Sequence, residues 1–160
     1  MTRKDADPLV ELVGTFNKHG VEFVIVGAHA VGWHGYPRAT KDIDFLIRPT
    51  KENAARVIAA LEEFGFGFLG VAEADLMSSE KIIQLGNAPH RADILSSIDG
   101  VDTEKVWRAR VPGSFRGQAV NYIAKDLLIQ NKLAVGRSQD KSDVQNLETQ
   151  KKFQDKNKGG

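Results

Sequence analysis

The chain has 160 residues, with 22 Lys plus Arg against 21 Asp plus Glu, 41% hydrophobic residues and no cysteine. That length fits one domain with a real core. The even charge balance excludes a protein that coats nucleic acid through charge alone. Absent cysteine excludes disulfides, thiolate zinc sites and thiol nucleophiles.

Charge is unevenly spread. Residues 151–160 hold four Lys and one Asp, which leaves 18 basic and 20 acidic residues in the rest. Residues 1–150 read as the domain and 151–160 as a basic, disordered tail. The first residues carry charge with no apolar run behind them, and no apolar stretch approaches the ~20 residues of a membrane helix. A soluble, cytoplasmic protein without membrane contact is expected.

Apolar residues at helical spacing predict a helix over 8–18, with Asp7 as N-cap and Pro8 in its first turn. The β-branched and aromatic run 21–26 predicts a buried strand, ended by Gly27. A short helix follows over 28–33. Alternation over 42–47 predicts a second strand. Thr50 caps a helix over 51–64. Residues 81–85 and 91–95 read as two strands joined by a turn, Gly86-Asn87-Ala88-Pro89. A short helix over 102–108 and an irregular strand pair over 111–123 come next. Helices over 123–135 and 142–153, split by Gly136, close the chain. The expected class is α/β (α+β), a single domain with a mixed sheet and flanking helices.

The segment from Val24 to Ile47 carries the chemistry. Asp42 and Asp44 sit two apart in a strand, so both carboxylates share one face while Ile43 and Phe45 point into the core. Adjacent carboxylates repel, and a hard divalent cation relieves the repulsion. Gly27 at the end of a strand lets backbone N–H groups approach a ligand, and the helix after it offers its N-terminus to an anion. Arg38, Thr40 and Lys41 add phosphate-compatible donors.

Val26-Gly27-Ala28, thirteen residues, then Asp42-Ile43-Asp44-Phe45 resembles the signature of the nucleotidyltransferase superfamily of DNA polymerase beta. The phrasing Arg38-x-Thr40-x-Asp42-x-Asp44 is similar to the minimal, abortive-infection branch of toxin–antitoxin systems. Asp93, in Arg91-Ala92-Asp93-Ile94-Leu95, matches the family's third carboxylate. Lys125, Lys132, Arg137 and Asp140 match a later helical set more loosely.

The resemblance implies a nucleotidyltransferase fold and a magnesium-dependent transfer. A nucleoside monophosphate passes from a triphosphate such as ATP to a hydroxyl acceptor, with release of pyrophosphate. It implies Asp42, Asp44 and Asp93 as catalytic and metal residues for two Mg²⁺ ions, Mn²⁺ being the alternative ion. It implies Gly27, Ala28, Arg38, Thr40, Lys41, Lys132 and Arg137 around the phosphates. The implied acceptor is tRNA, other RNA or a partner protein, and the implied partner a cognate antitoxin or toxin. Ala28 departs from the family's Gly or Ser. It brings no hydroxyl, so the phosphate grip rests on backbone N–H groups and basic side chains.

Two other readings stay open. One is a non-enzymatic nucleotide-binding or antitoxin-like module of the same fold. The other is a metal-dependent phosphohydrolase, which explains the Asp pair but not the Gly27 spacing. Several motifs are set aside. His29 and His34 lie five apart, which separates them around a helix and argues against zinc. Gly27-x-x-x-x-Gly32 lacks the Lys and Ser/Thr of a phosphate loop. Gly65-Phe-Gly-Phe-Leu-Gly70 follows a helix, so it reads as a connection and not a dinucleotide site. Asp143 reads as an acid favoured at a helix start. Asp140 reads equally as that or as half of an acid pair.

Overall fold

The computed structural model describes residues 7–36, 42–87 and 90–158, with side chains through residue 149. Asp7 caps helix α1 (Pro8–Lys18), its carboxylate accepting from the Leu9 N–H at 2.9 Å. The Val21 N–H donates to the Phe16 carbonyl at 3.0 Å. Residue 21 therefore closes α1, and strand β1 (Phe23–Val26) starts two residues later than the apolar run suggests. Gly27 opens helix α2 (Gly27–Trp33). Strand β2 spans Asp42–Ile47. Helix α3 (Lys51–Phe64) carries the expected Thr50 cap, and Gly65 ends it in the left-handed region.

A 3-10 turn (Gly67–Leu69) and helix α4 (Glu73–Met77) follow, neither of them predicted. The glycine-rich run is thus a helix exit and a tight turn. Strands β3 (Ile82–Leu85) and β4 (Arg91–Leu95) pair antiparallel as the expected hairpin, although Ala88 and Pro89 of its turn lie outside the described residues. Helix α5 (Thr103–Arg108) is capped by Asp102. Strands β5 (Val111–Phe115) and β6 (Gln118–Tyr122) form the second hairpin.

Helix α6 (Lys125–Val135) starts two residues late, because the Ile123 N–H still pairs with the Ile25 carbonyl at 3.1 Å. Helix α7 (Ser138–Lys158) starts four residues earlier than predicted. Asp140 explains this: its carboxylate accepts the Arg137 N–H at 3.2 Å, which caps the helix from its third position. The backbone of α7 runs past residue 150, where the tail was expected to begin.

The six strands form one mixed sheet in the order β3-β4-β2-β1-β6-β5. Central β1 runs antiparallel to β2 and parallel to β6, and β2 runs parallel to β4. This is the mixed sheet with flanking helices that the sequence predicts. Strand period two divides its faces. On one face Phe23 and Phe45 meet Phe16 of α1, the three rings edge-to-face at centroid distances of 5.4–5.5 Å. On the other face lie Asp42, Asp44 and Asp93.

Buried Asn53 fastens the first face. It accepts from the Glu22 N–H at 2.7 Å and donates to the Glu22 and Arg48 carbonyls at 2.9 Å each. The start of α3 is thereby tied to the ends of β1 and β2. No helix among the described residues is long and apolar enough to cross a membrane.

Candidate active site

The sheet register builds the site. Val26 pairs with Asp44 across β1 and β2, and Asp44 pairs with Asp93 across β2 and β4. Asp42 pairs with Arg91 one step along the same face. Parallel neighbours in register project side by side, so the strands bring Asp44 and Asp93 together from distant parts of the chain. Ile43, Phe45, Ala92 and Ile94 point the other way and are fully buried. Those apolar contacts fix the register and therefore the aim of the acids.

Gly27 adjoins Asp44. Its φ is +70°, and a Cβ built there would collide with the Asp44 carboxylate. Only glycine allows the strand to turn into α2 at this distance from the acid. Asp44 accordingly sits in a crowded, dehydrated position. Burial first, then the charges of Asp93 and Asp42, raise its pKa to about 6, against the weaker opposing pull of Lys132 and Arg91.

These acids open onto a cavity of about 590 Å³. Gly27, Ala28, Asp42, Asp44 and Asp93 line it, and so do Lys132 of α6 and Arg137 of the junction between α6 and α7. The expected site residues therefore converge wherever they are described. Arg38, Thr40 and Lys41 lie outside the described residues.

Lys132 is 5% exposed. Its ammonium lies 3.1 Å from an Asp140 oxygen and 3.3 Å from one of Asp143. Arg137 forks onto Asp140 at 2.7 and 3.3 Å, while its side chain stays 72% exposed to the cavity and solvent. Burial alone would raise Asp140, but the hydrogen bonds from Arg137 and Lys132 outweigh it and bring its pKa down to about 2. Asp143, read from sequence as an acid favoured at a helix start, lies five residues past the first residue of α7, 1% exposed and paired with Lys132. Asp140 resolves as the buried centre of the same network. Lys132 thus acts on the cavity from a fixed seat, while Arg137 reaches into it.

Arg91 went unnoticed in the sequence. It donates from Nε and Nη2 to the two Asp93 oxygens, each at 3.3 Å, and its Nε lies 4.0 Å from Asp42. The signal was available: a residue two before Asp93 in a strand shares its face. His34 is accounted for structurally, its Nε2 lying 2.7 Å from the Ile123 carbonyl.

A divalent cation suits this donor set. Asp44 and Asp93 are hard oxygen ligands side by side, and a cation between them would offset both the burial of Asp44 and its repulsion by Asp93 and Asp42. Among the described residues, no three His, Asp or Glu side chains are already drawn together as a metal cage. No family model matches the chain, and no curated protein matches it.

Proposed function

We propose that the protein is a Mg²⁺- or Mn²⁺-dependent nucleotidyltransferase, moving a nucleoside monophosphate from a triphosphate to a hydroxyl acceptor. The observation that carries this reading is the in-register pair Asp44–Asp93 beside a glycine that admits no side chain. That pair faces a cavity also lined by Lys132 and Arg137.

Asp42, Asp44 and Asp93 would hold the cations. Bound there, the ions would supply Lewis-acid activation of the acceptor hydroxyl and charge neutralisation on the departing pyrophosphate. Asp93 receives the acceptor proton. The acceptor oxygen bonds to the α-phosphorus, and the bond from that phosphorus to the bridging oxygen of pyrophosphate breaks. Arg137 suits a phosphate because its planar fork matches the oxygens. Lys132 contributes positive potential from its buried seat. Backbone N–H groups at Gly27 and Ala28, with Arg38, Thr40 and Lys41, complete the phosphate grip.

The acceptor is RNA, tRNA foremost, or a partner protein. The setting is a cytoplasmic toxin–antitoxin or phage-defence pair. Both statements rest on the motif resemblance. A non-enzymatic module of the same fold is the second reading, favoured by the hydroxyl-free Ala28.

The test is to incubate the protein with each α-labelled triphosphate, Mg²⁺, and total RNA or cell lysate. Label is expected on a macromolecule with the wild-type protein, reduced at least ~100-fold in Asp44→Asn, as for loss of a directly acting group. Tight partner binding indifferent to Asp42 and Asp44, with no label transferred, would favour the module.

A further inference from the structure

Arg91 and the acids form a closed arrangement. The first residue of β4 stands in register with Asp42 on β2, and two residues on stands Asp93, in register with Asp44. The Arg91 guanidinium folds back along its own strand and engages both Asp93 oxygens at 3.3 Å while lying 4.0 Å from Asp42. It therefore covers the oxygens that a cation needs. Contacts of 3.3 Å are long for a charge-assisted pair, whose usual range is about 2.7–2.9 Å. The side chain is 35% exposed and lines the cavity, so it has room to leave.

We propose that Arg91 is a displaceable counter-cation. Without a divalent ion it balances Asp93 and Asp42, and an arriving ion takes Asp93 from it. The freed guanidinium then turns to the polyphosphate, whose oxygens its planar fork fits. Arg91 is thus a positioning residue that couples cation entry to phosphate capture. This rests on the reading of the carboxylates as a metal centre.

The coupling predicts opposite signs in two measurements on one variant, which a merely structural role would not produce. The probes are Mn²⁺ alone, followed by the electron paramagnetic resonance of the free ion, and inorganic tripolyphosphate at fixed saturating Mg²⁺. Arg91→Gln is expected to bind Mn²⁺ about 10-fold more tightly, the lower end of what an adjacent opposite charge does to a carboxylate. The same variant is expected to bind tripolyphosphate about 10-fold more weakly, as for one lost charge-assisted contact. Arg91→Lys keeps the charge without the fork, and its Mn²⁺ affinity should fall between the two. It decides the matter if Arg91→Gln does not fold.

Arg137→Gln controls for general field, because Arg137 lines the same cavity but sits on Asp140. Equal tightening there would overturn the proposal. So would unchanged or weaker Mn²⁺ binding in Arg91→Gln; if Asp93→Asn still abolishes that binding, the metal centre itself stands. Absence of Mn²⁺ binding in both wild type and Arg91→Gln would overturn the two readings together.

Discussion

Asp44 is held against its own ionisation. Its ordinary pKa is 3.8 and its folded value about 6. Between those values the native state holds a proton that the unfolded chain has released. Stability from this group therefore falls as pH rises from about 4 to about 6, and the full penalty remains above. A shift of about two units corresponds to at most about 3 kcal/mol. Asp44→Asn removes the penalty while keeping the shape. The metal-free variant should gain about 2 kcal/mol over wild type at pH 7.5, and little at pH 4. Denaturant unfolding in chelator at both pH values measures the difference. A gain independent of pH would show that Asp44 is not strained by its neighbours. A site residue that destabilises its own apo fold is consistent with selection for chemistry.

Two junctions between elements position the acids. The first is the turn from β1 into α2. Gly27→Ala would place a methyl group against the Asp44 carboxylate and force a side chain into φ +70°. A cost of about 1–3 kcal/mol is expected, together with loss of the proposed transfer activity, since the acid must move. Calorimetry paired with a transfer assay checks both; a stable, active Gly27→Ala protein would mean the junction is not needed. The second is the clamp of α6 to α7. Asp140 is 0% exposed and binds both Lys132 and Arg137. Its depressed pKa means its contribution is complete above about pH 4 and lost only as pH falls through about 2. Asp140→Asn leaves buried Lys132 undercompensated and should cost about 3–5 kcal/mol across pH 5–8, read by denaturant unfolding. An Asn variant within error of wild type would reduce this cluster to a surface ion pair.

At the scale of the whole molecule, helices and strands were legible because apolar period and caps are local signals. Asp7 and Thr50 each accept a backbone N–H at the helix start that the sequence suggests, and Asp102 does the same for α5. The helix α4 was not legible, being one turn long and held by Asp75 accepting the Ala72 N–H at 2.9 Å. Strand order was equally hidden, since the parallel pairing of β2 with β4 is a non-local choice. The shared face of Asp42 and Asp44 followed from period two alone. Their meeting with Asp93 needed the motif resemblance, which the register now replaces with a pairing of named residues. The part played by Arg91 and the buried pairing of Lys132 with Asp140 and Asp143 were not legible, because charged residues read as solvated until burial shows otherwise. A chain of even charge turns out to concentrate both signs on one cavity.

Nucleotidyl transfer at that cavity is tested most directly by following the two ends of one triphosphate. The protein is given α- and γ-labelled forms in parallel, with Mg²⁺ and acceptor RNA or lysate. The expected result is α-label on the acceptor and γ-label in pyrophosphate, both lost in Asp44→Asn and Asp93→Asn. Release of γ-label as inorganic phosphate, or transfer that survives either substitution, would contradict it.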